Sequence, residues 1–145
     1  MAKKQCKNCR GGPETFWYMK HTYVYDVDLA RRYTSDGRDT VELDPGDVRS
    51  SVAESDINDE HIDHVDPSIP GIVAHVIFQD SSGELLNGHV LIDGHHRAAR
   101  CLREGRPFEV YLLTEEESVA TMQTCPGNLP HMKSRQQHLE AAAIA

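Results

Sequence analysis

No stretch of this chain comes near the roughly 18 consecutive apolar residues that a membrane-spanning helix requires. The basic opening of residues 1–13 is followed by no apolar stretch, so it does not read as a secretory signal. Basic charge is in short supply: 15 Lys and Arg stand against 23 Asp and Glu, a formal net charge of −8 with nine His neutral. A protein that coats nucleic acid needs the opposite balance, so DNA is not an expected partner. No repeat recurs at a fixed period. Only four cysteines are present, and without an export signal they belong in a reducing, cytoplasmic setting where thiols bind metal, react or lie buried. At 145 residues, 39% of them hydrophobic and 26% charged, the chain has the make-up of one soluble globular unit rather than a disordered one.

What is present is unevenly spread. Eleven of the 23 acids fall between Asp36 and Asp66, against only Arg38 and Arg49. Such a run makes a solvated face; the other reading is that some of its carboxylates line a site. Upstream, Tyr23, Tyr25 and Val27 alternate with Val24 and Asp26 as a short strand. Thr40–Leu43 forms another strand, with Asp44-Pro45-Gly46-Asp47 as the turn after it. The β-branched run Ile72–Phe78 is a buried strand. Asp80–Gly83 turns it into a hairpin with His89–Ile92. Ala98, Cys101 and Leu102 then recur at helical spacing until Gly105 and Pro107 stop them. Phe108–Leu113 is a further strand, and Thr114 with Glu117 makes the capping box of a helix running to about Gln123. The expected architecture is a small α/β or α+β domain, a mixed sheet with flanking helices, over residues 36–125. Residues 1–35 form an N-terminal extension that packs on it or not, and residues 126–145 a C-terminal one.

The most informative segment is the strand–turn–helix junction Leu91–Arg100. A strand ends, Gly94 permits a tight turn, and a helix opens on His95, His96 and Arg97. Helix N-termini offer unpaired N–H groups and partial positive charge to an anion. Arg97 adds a fork of donors suited to phosphate oxygens, and His95 and His96 can donate to the same anion or move protons near pH 7. Asp93, at the strand end, can accept a proton or hold Mg²⁺; the plainer reading is that it caps the helix. Arg97, Arg100, Arg103 and Arg106 put a basic spot in an acidic chain, although the same stripe can equally pair with the acidic segment.

This junction, Val90-Leu91-Ile92-Asp93-Gly94-His95-His96-Arg97-Ala98-Ala99-Arg100, resembles the ParB/sulfiredoxin superfamily, with Leu102, Gly105 and Phe108–Leu113 following in the same order. More weakly, Val41–Val48 is similar to the family's first strand and turn, so the resemblance covers about residues 40–120. It implies a nucleotide, ATP, ADP or CTP with Mg²⁺, held through Gly94, His95, His96 and Arg97. In sulfiredoxins the turn carries a nucleophilic cysteine; His95 occupies that place here, so that reaction is not expected. In chromosome-partition ParB proteins a DNA-reading module follows, for which this chain has no room. The turn is most similar to stand-alone ParB-like proteins, some of which phosphorylate free serine. That resemblance implies a phosphotransferase in which Asp93 acts as base or metal ligand and His95 takes part, with Glu54 as one candidate for a further glutamate. The alternative is a non-catalytic regulatory module acting through a protein partner or a second copy, with nuclease activity a distant third.

Cys6 and Cys9 have the spacing of half a zinc knuckle. Cys125 with His131 or His138 would complete four ligands if the termini meet; an unstructured, tag-like N-terminus is the rival. Cys101 reads as a small core residue, His75 as a core or edge histidine. His61 and His64, three apart, can bind metal only if helical, and Pro67 follows closely. Phe16, Trp17 and Tyr18 form an aromatic packing cluster.

Overall fold

A computed structural model describes residues 12–20, 22–79 and 81–126. Their order is β1 (Thr15–Tyr18), β2 (Tyr23–Asp26), α1 (Val27–Tyr33) continued by a 3₁₀ turn (Thr34–Asp36), β3 (Val41–Glu42), α2 (Pro45–Ala53), α3 (Asp59–Ile62), β4 (Gly71–Gln79), β5 (Leu85–Asp93), α4 (His95–Glu104), β6 (Glu109–Leu112), α5 (Glu115–Thr121) and β7 (Met122–Thr124). The fold is mixed α+β. Among the described residues the strands make two sheets, β1-β2-β7 and β3-β6-β4-β5. The first is antiparallel throughout; in the second, β4 pairs antiparallel with β5 and parallel with β6.

The half of the β4–β5 hairpin nearest α4, Gly71–Ala74 with Leu91–Asp93, is buried on both faces, which is why Ile72–Ala74 is an apolar run rather than an alternating one, while towards the hairpin turn Leu86, Asn87 and His89 are exposed. Ile72, Ala74, Val76 and Ile92 pack against Tyr23, Tyr25, Ala30, Leu113 and Met122 on one side. Val73 and Leu91 pack against Val48, Ala98, Cys101, Phe108 and Val110 on the other, beneath α2 and α4. Successive side chains of a strand point to opposite faces, so Val73 and Ala74 serve different cores. The hydroxyls of Tyr23 and Tyr25 donate to the carbonyls of Ile77 and His75 and so tie the two sheets together. The segment expected as an N-terminal extension thus supplies two fully buried tyrosines to this core.

Two local signals act differently from expectation. Asp44-Pro45-Gly46 is the start of α2 rather than a free turn: Asp44 accepts from the Gly46 N–H at 3.0 Å and Pro45 takes the first helical position, where a missing N–H costs nothing. Asp26 likewise ends β2 and caps α1 through the Leu29 N–H, a helix the strand-like alternation conceals. The capping box of α5 forms as expected, with Thr114 and Glu117 bonded reciprocally. Glu117 also takes two 2.7 Å bonds from Arg38, which donates further to the carbonyls of Tyr33 and Leu112. One guanidinium thereby joins the end of α1, β6 and the start of α5.

At the head of the hairpin the backbones approach closely. A Cβ on Gly71 would lie 2.7 Å from both the Asp93 carbonyl oxygen and the Phe108 ring. Both of those atoms belong to the packed framework, so a methyl group there has to push strand or core apart. Gly71→Ala is expected to destabilise the fold by about 1–3 kcal/mol, read as a lowered midpoint in thermal or urea denaturation; an unchanged midpoint contradicts this packing.

Candidate functional site

The junction singled out in the sequence closes the end of β5. Gly94 sits at φ 102°, ψ 21°, and no side chain caps α4. That left-handed backbone is open to glycine, and a Cβ would meet Gly71, Phe108 and Arg97 at 3.0–3.3 Å. Gly94, His95, His96 and Arg97 line a cleft of about 1390 Å³, together with Arg31, the β1 aromatics, and Glu54 near the end of α2.

Beneath the turn, Asp93 is 6% exposed and both its oxygens are engaged. Arg31 donates to Oδ2 at 3.1 Å through Nε and to Oδ1 at 2.8 Å through Nη2. Arg97 reaches Oδ2 at 3.0 Å and places its other amino group on the Pro70 carbonyl at 2.9 Å. Burial pushes the Asp93 carboxyl up; the Arg31 hydrogen bonds and the Arg97 charge outweigh it and hold it below the ordinary carboxylate value. Arg97 is therefore oriented by Asp93 and the loop before β4. Arg31, which the sequence reading did not find, is the half-exposed cation of the group, and its Nη2 also meets Glu14 at 3.0 Å.

The two histidines part company. His95 stacks on Phe16, ring centroids 4.9 Å apart and 14° from parallel, and bonds to the Leu91 backbone. Burial first, and the neighbouring His96 and Arg97 charges after it, draw its pKa down to about 4 against the pull of Asp93. It is neutral at pH 7. Nε2 of His96 accepts the Asn58 N–H at 3.0 Å, and its ring meets His61 edge-on at 4.7 Å. His96 thus pins the segment leading into α3.

Of the other arginines of the stripe, Arg100 and Arg103 turn to the acidic segment, while Arg106 pairs with Glu104 at 3.7 Å. Arg100 donates to the Val65 and Asp63 carbonyls at 3.0 and 3.2 Å, and Arg103 to the Asp63 carboxylate at 2.7 Å. Cys101 is fully buried. Cys125 packs partly buried against the tyrosine core, while Cys6 and Cys9 lie outside the described residues. Among the described residues no three His, Cys, Asp or Glu side chains are grouped to hold a metal ion, and no helix is long and apolar enough to cross a membrane.

Neither Arg31 nor Glu14 has a sequence signal that points to β5. Asp28 and Arg31, three apart, suggest only a helix face. Comparison with protein-family models, with curated proteins and with solved structures finds no significant match.

Two outcomes follow for this site. Asp93→Asn leaves two guanidiniums facing a neutral amide and is expected to cost about 3 kcal/mol of folding stability. His95 binds a proton at about pH 4 when folded and near 6.5 when unfolded. The unfolded chain therefore holds the extra proton in that window, and stability falls as pH drops from about 6.5 towards 4. Asp93 adds to the loss only below its unfolded value of about 3.9. His95→Phe keeps the stack and removes the proton, so urea midpoints between pH 4 and 6.5 should fall less steeply than in the parent; an equal fall rules out the buried neutral imidazole.

Proposed function

We propose that this chain is a ParB/sulfiredoxin-like domain that binds the phosphates of a nucleotide, ATP, ADP or CTP, at the Asp93–Arg97 turn. The observation that carries this reading is a helix N-terminus with glycine at its cap position, opening through that left-handed residue into a cleft that also holds the half-exposed Arg31. Peptide N–H groups and the helix dipole favour an anion there. Arg31 supplies the charge the sequence reading had assigned to Arg97. The net −8 disfavours a long polyanion and leaves a small one acceptable.

The proton chemistry supports binding more than transfer. Asp93 is held below the usual carboxylate range and His95 is drawn down to about 4. A general base works best with a pKa near the working pH, so neither suits that role. Asp93, with both oxygens on guanidiniums, also does not fit as a magnesium ligand. The non-catalytic regulatory reading therefore has a specific observation in its favour. A serine-type kinase needs its base elsewhere, and exposed Glu54, lining the same cleft, is the residue that fits.

Thermal-shift measurements with ATP, ADP, CTP and GTP in the presence of Mg²⁺ test binding. At least one is expected to raise the midpoint, and Arg31→Ala to weaken it about tenfold, the worth of one charge-assisted hydrogen bond. No shift with any of the four contradicts the reading. Where one binds, incubation with free serine separates the two versions: phosphoserine formation that Glu54→Gln abolishes marks the kinase, and its absence marks the binding module.

A further inference from the structure

Away from the turn, β4 and β5 bring two histidines face to face. His75 and His89 are direct cross-strand partners in the antiparallel register, and their ring centroids lie 4.5 Å apart at 51°. Residues on one face of a strand recur every second position, so His89 shares its face of β5 with Leu91 and Asp93, and it lines the same cleft. We propose that His75 and His89 form a two-histidine site for a borderline divalent transition metal such as Zn²⁺, Ni²⁺ or Co²⁺, with the remaining coordination positions left to water or to a donor atom of a ligand in the cleft. The proposal does not depend on nucleotide binding.

Two features of the pair carry it. Imidazoles that share one ion at about 2.1 Å have ring centroids about 5 Å apart, so the observed spacing needs only small ring rotations to chelate. The strand position of His75 is fixed on both sides: its N–H donates to Ser118 Oγ at 2.9 Å and its carbonyl accepts the Tyr25 hydroxyl at 2.9 Å. A ligand held this firmly by its backbone loses little freedom when it binds. With only two protein ligands the site resembles an open centre, which keeps exchangeable positions, and not a closed structural one. Imidazole nitrogen suits Zn, Cu, Ni and Co and does not suit Mg²⁺ or Ca²⁺.

Equilibrium dialysis of the full chain against ZnCl₂, with metal content measured after desalting, tests this. The parent is expected to hold one ion that both His75→Ala and His89→Ala lose and that His61→Ala and Cys6→Ser retain. Zinc should likewise raise the thermal midpoint of the parent and of His61→Ala but not of the two strand variants. Circular dichroism checks that each variant folds; His89 is exposed, so His89→Ala decides alone if His75→Ala does not. Full metal content in the histidine variants, no bound zinc in the parent, or a single ion that follows Cys6→Ser overturns the site.

Discussion

The carboxylate of Asp93 lies between the guanidiniums of Arg31 and Arg97, and three parts of the chain meet through it: α1, the end of β5 and the first turn of α4. A charge at 6% exposure is tolerable only when both oxygens are matched. Two planar forks provide that match, and each is steered in turn. Arg97 also holds the Pro70 carbonyl, which sets the entry to β4, and Arg31 also holds Glu14, which sets the approach to β1. The close packing of Gly71 and Gly94 with Phe108 depends on this geometry, because the strand must end and the helix must begin within one residue.

The same arrangement explains the character of the cleft. The groups nearest the turn have been made poor proton carriers: one carboxyl is held ionised by its two partners, and one imidazole is held neutral by burial against Phe16. What the turn then presents to the cleft is the N-terminus of α4 and the half-exposed Arg31, which is itself paired with Asp93, Glu14 and Asp28. Around it the acidic segment is fastened down by the other arginines of α4 and by His96 through the Asn58 amide. Asp47, Glu54, Asp56 and Asp66 of the acidic segment line the same cleft as Arg31 and Gly94–Arg97.

Much of this was legible where the signal is local. The β-branched run of β4, the periodic apolar face of α4 stopped by Gly105, and the Thr114–Glu117 box each act within a few residues, and each element begins where those residues place it, although α5 stops at Thr121 rather than about Gln123 because Met122–Thr124 pairs with β2 as β7. Local signals mislead where one residue type serves two purposes. Asp26 and Asp44 cap helices with the same side-chain oxygen that makes turns, so α1 was concealed within a strand pattern and the start of α2 within a turn. Arg31 was out of reach for a different reason. Its partner Asp93 is 62 residues away, and the contact exists only because β2 and β7 are folded against the hairpin. Phe16 on His95 is a similar case, an aromatic assigned to packing whose partner is the site itself.

Backbone amide shifts in a nitrogen–proton NMR titration with ATP and Mg²⁺ report on the turn directly, whatever chemistry follows. The largest changes are expected at Gly94, His95, His96 and Arg97, with smaller ones on Arg31, and inorganic phosphate should move the same amides less. Changes confined to other parts of the fold, or none at saturating nucleotide, would contradict the account.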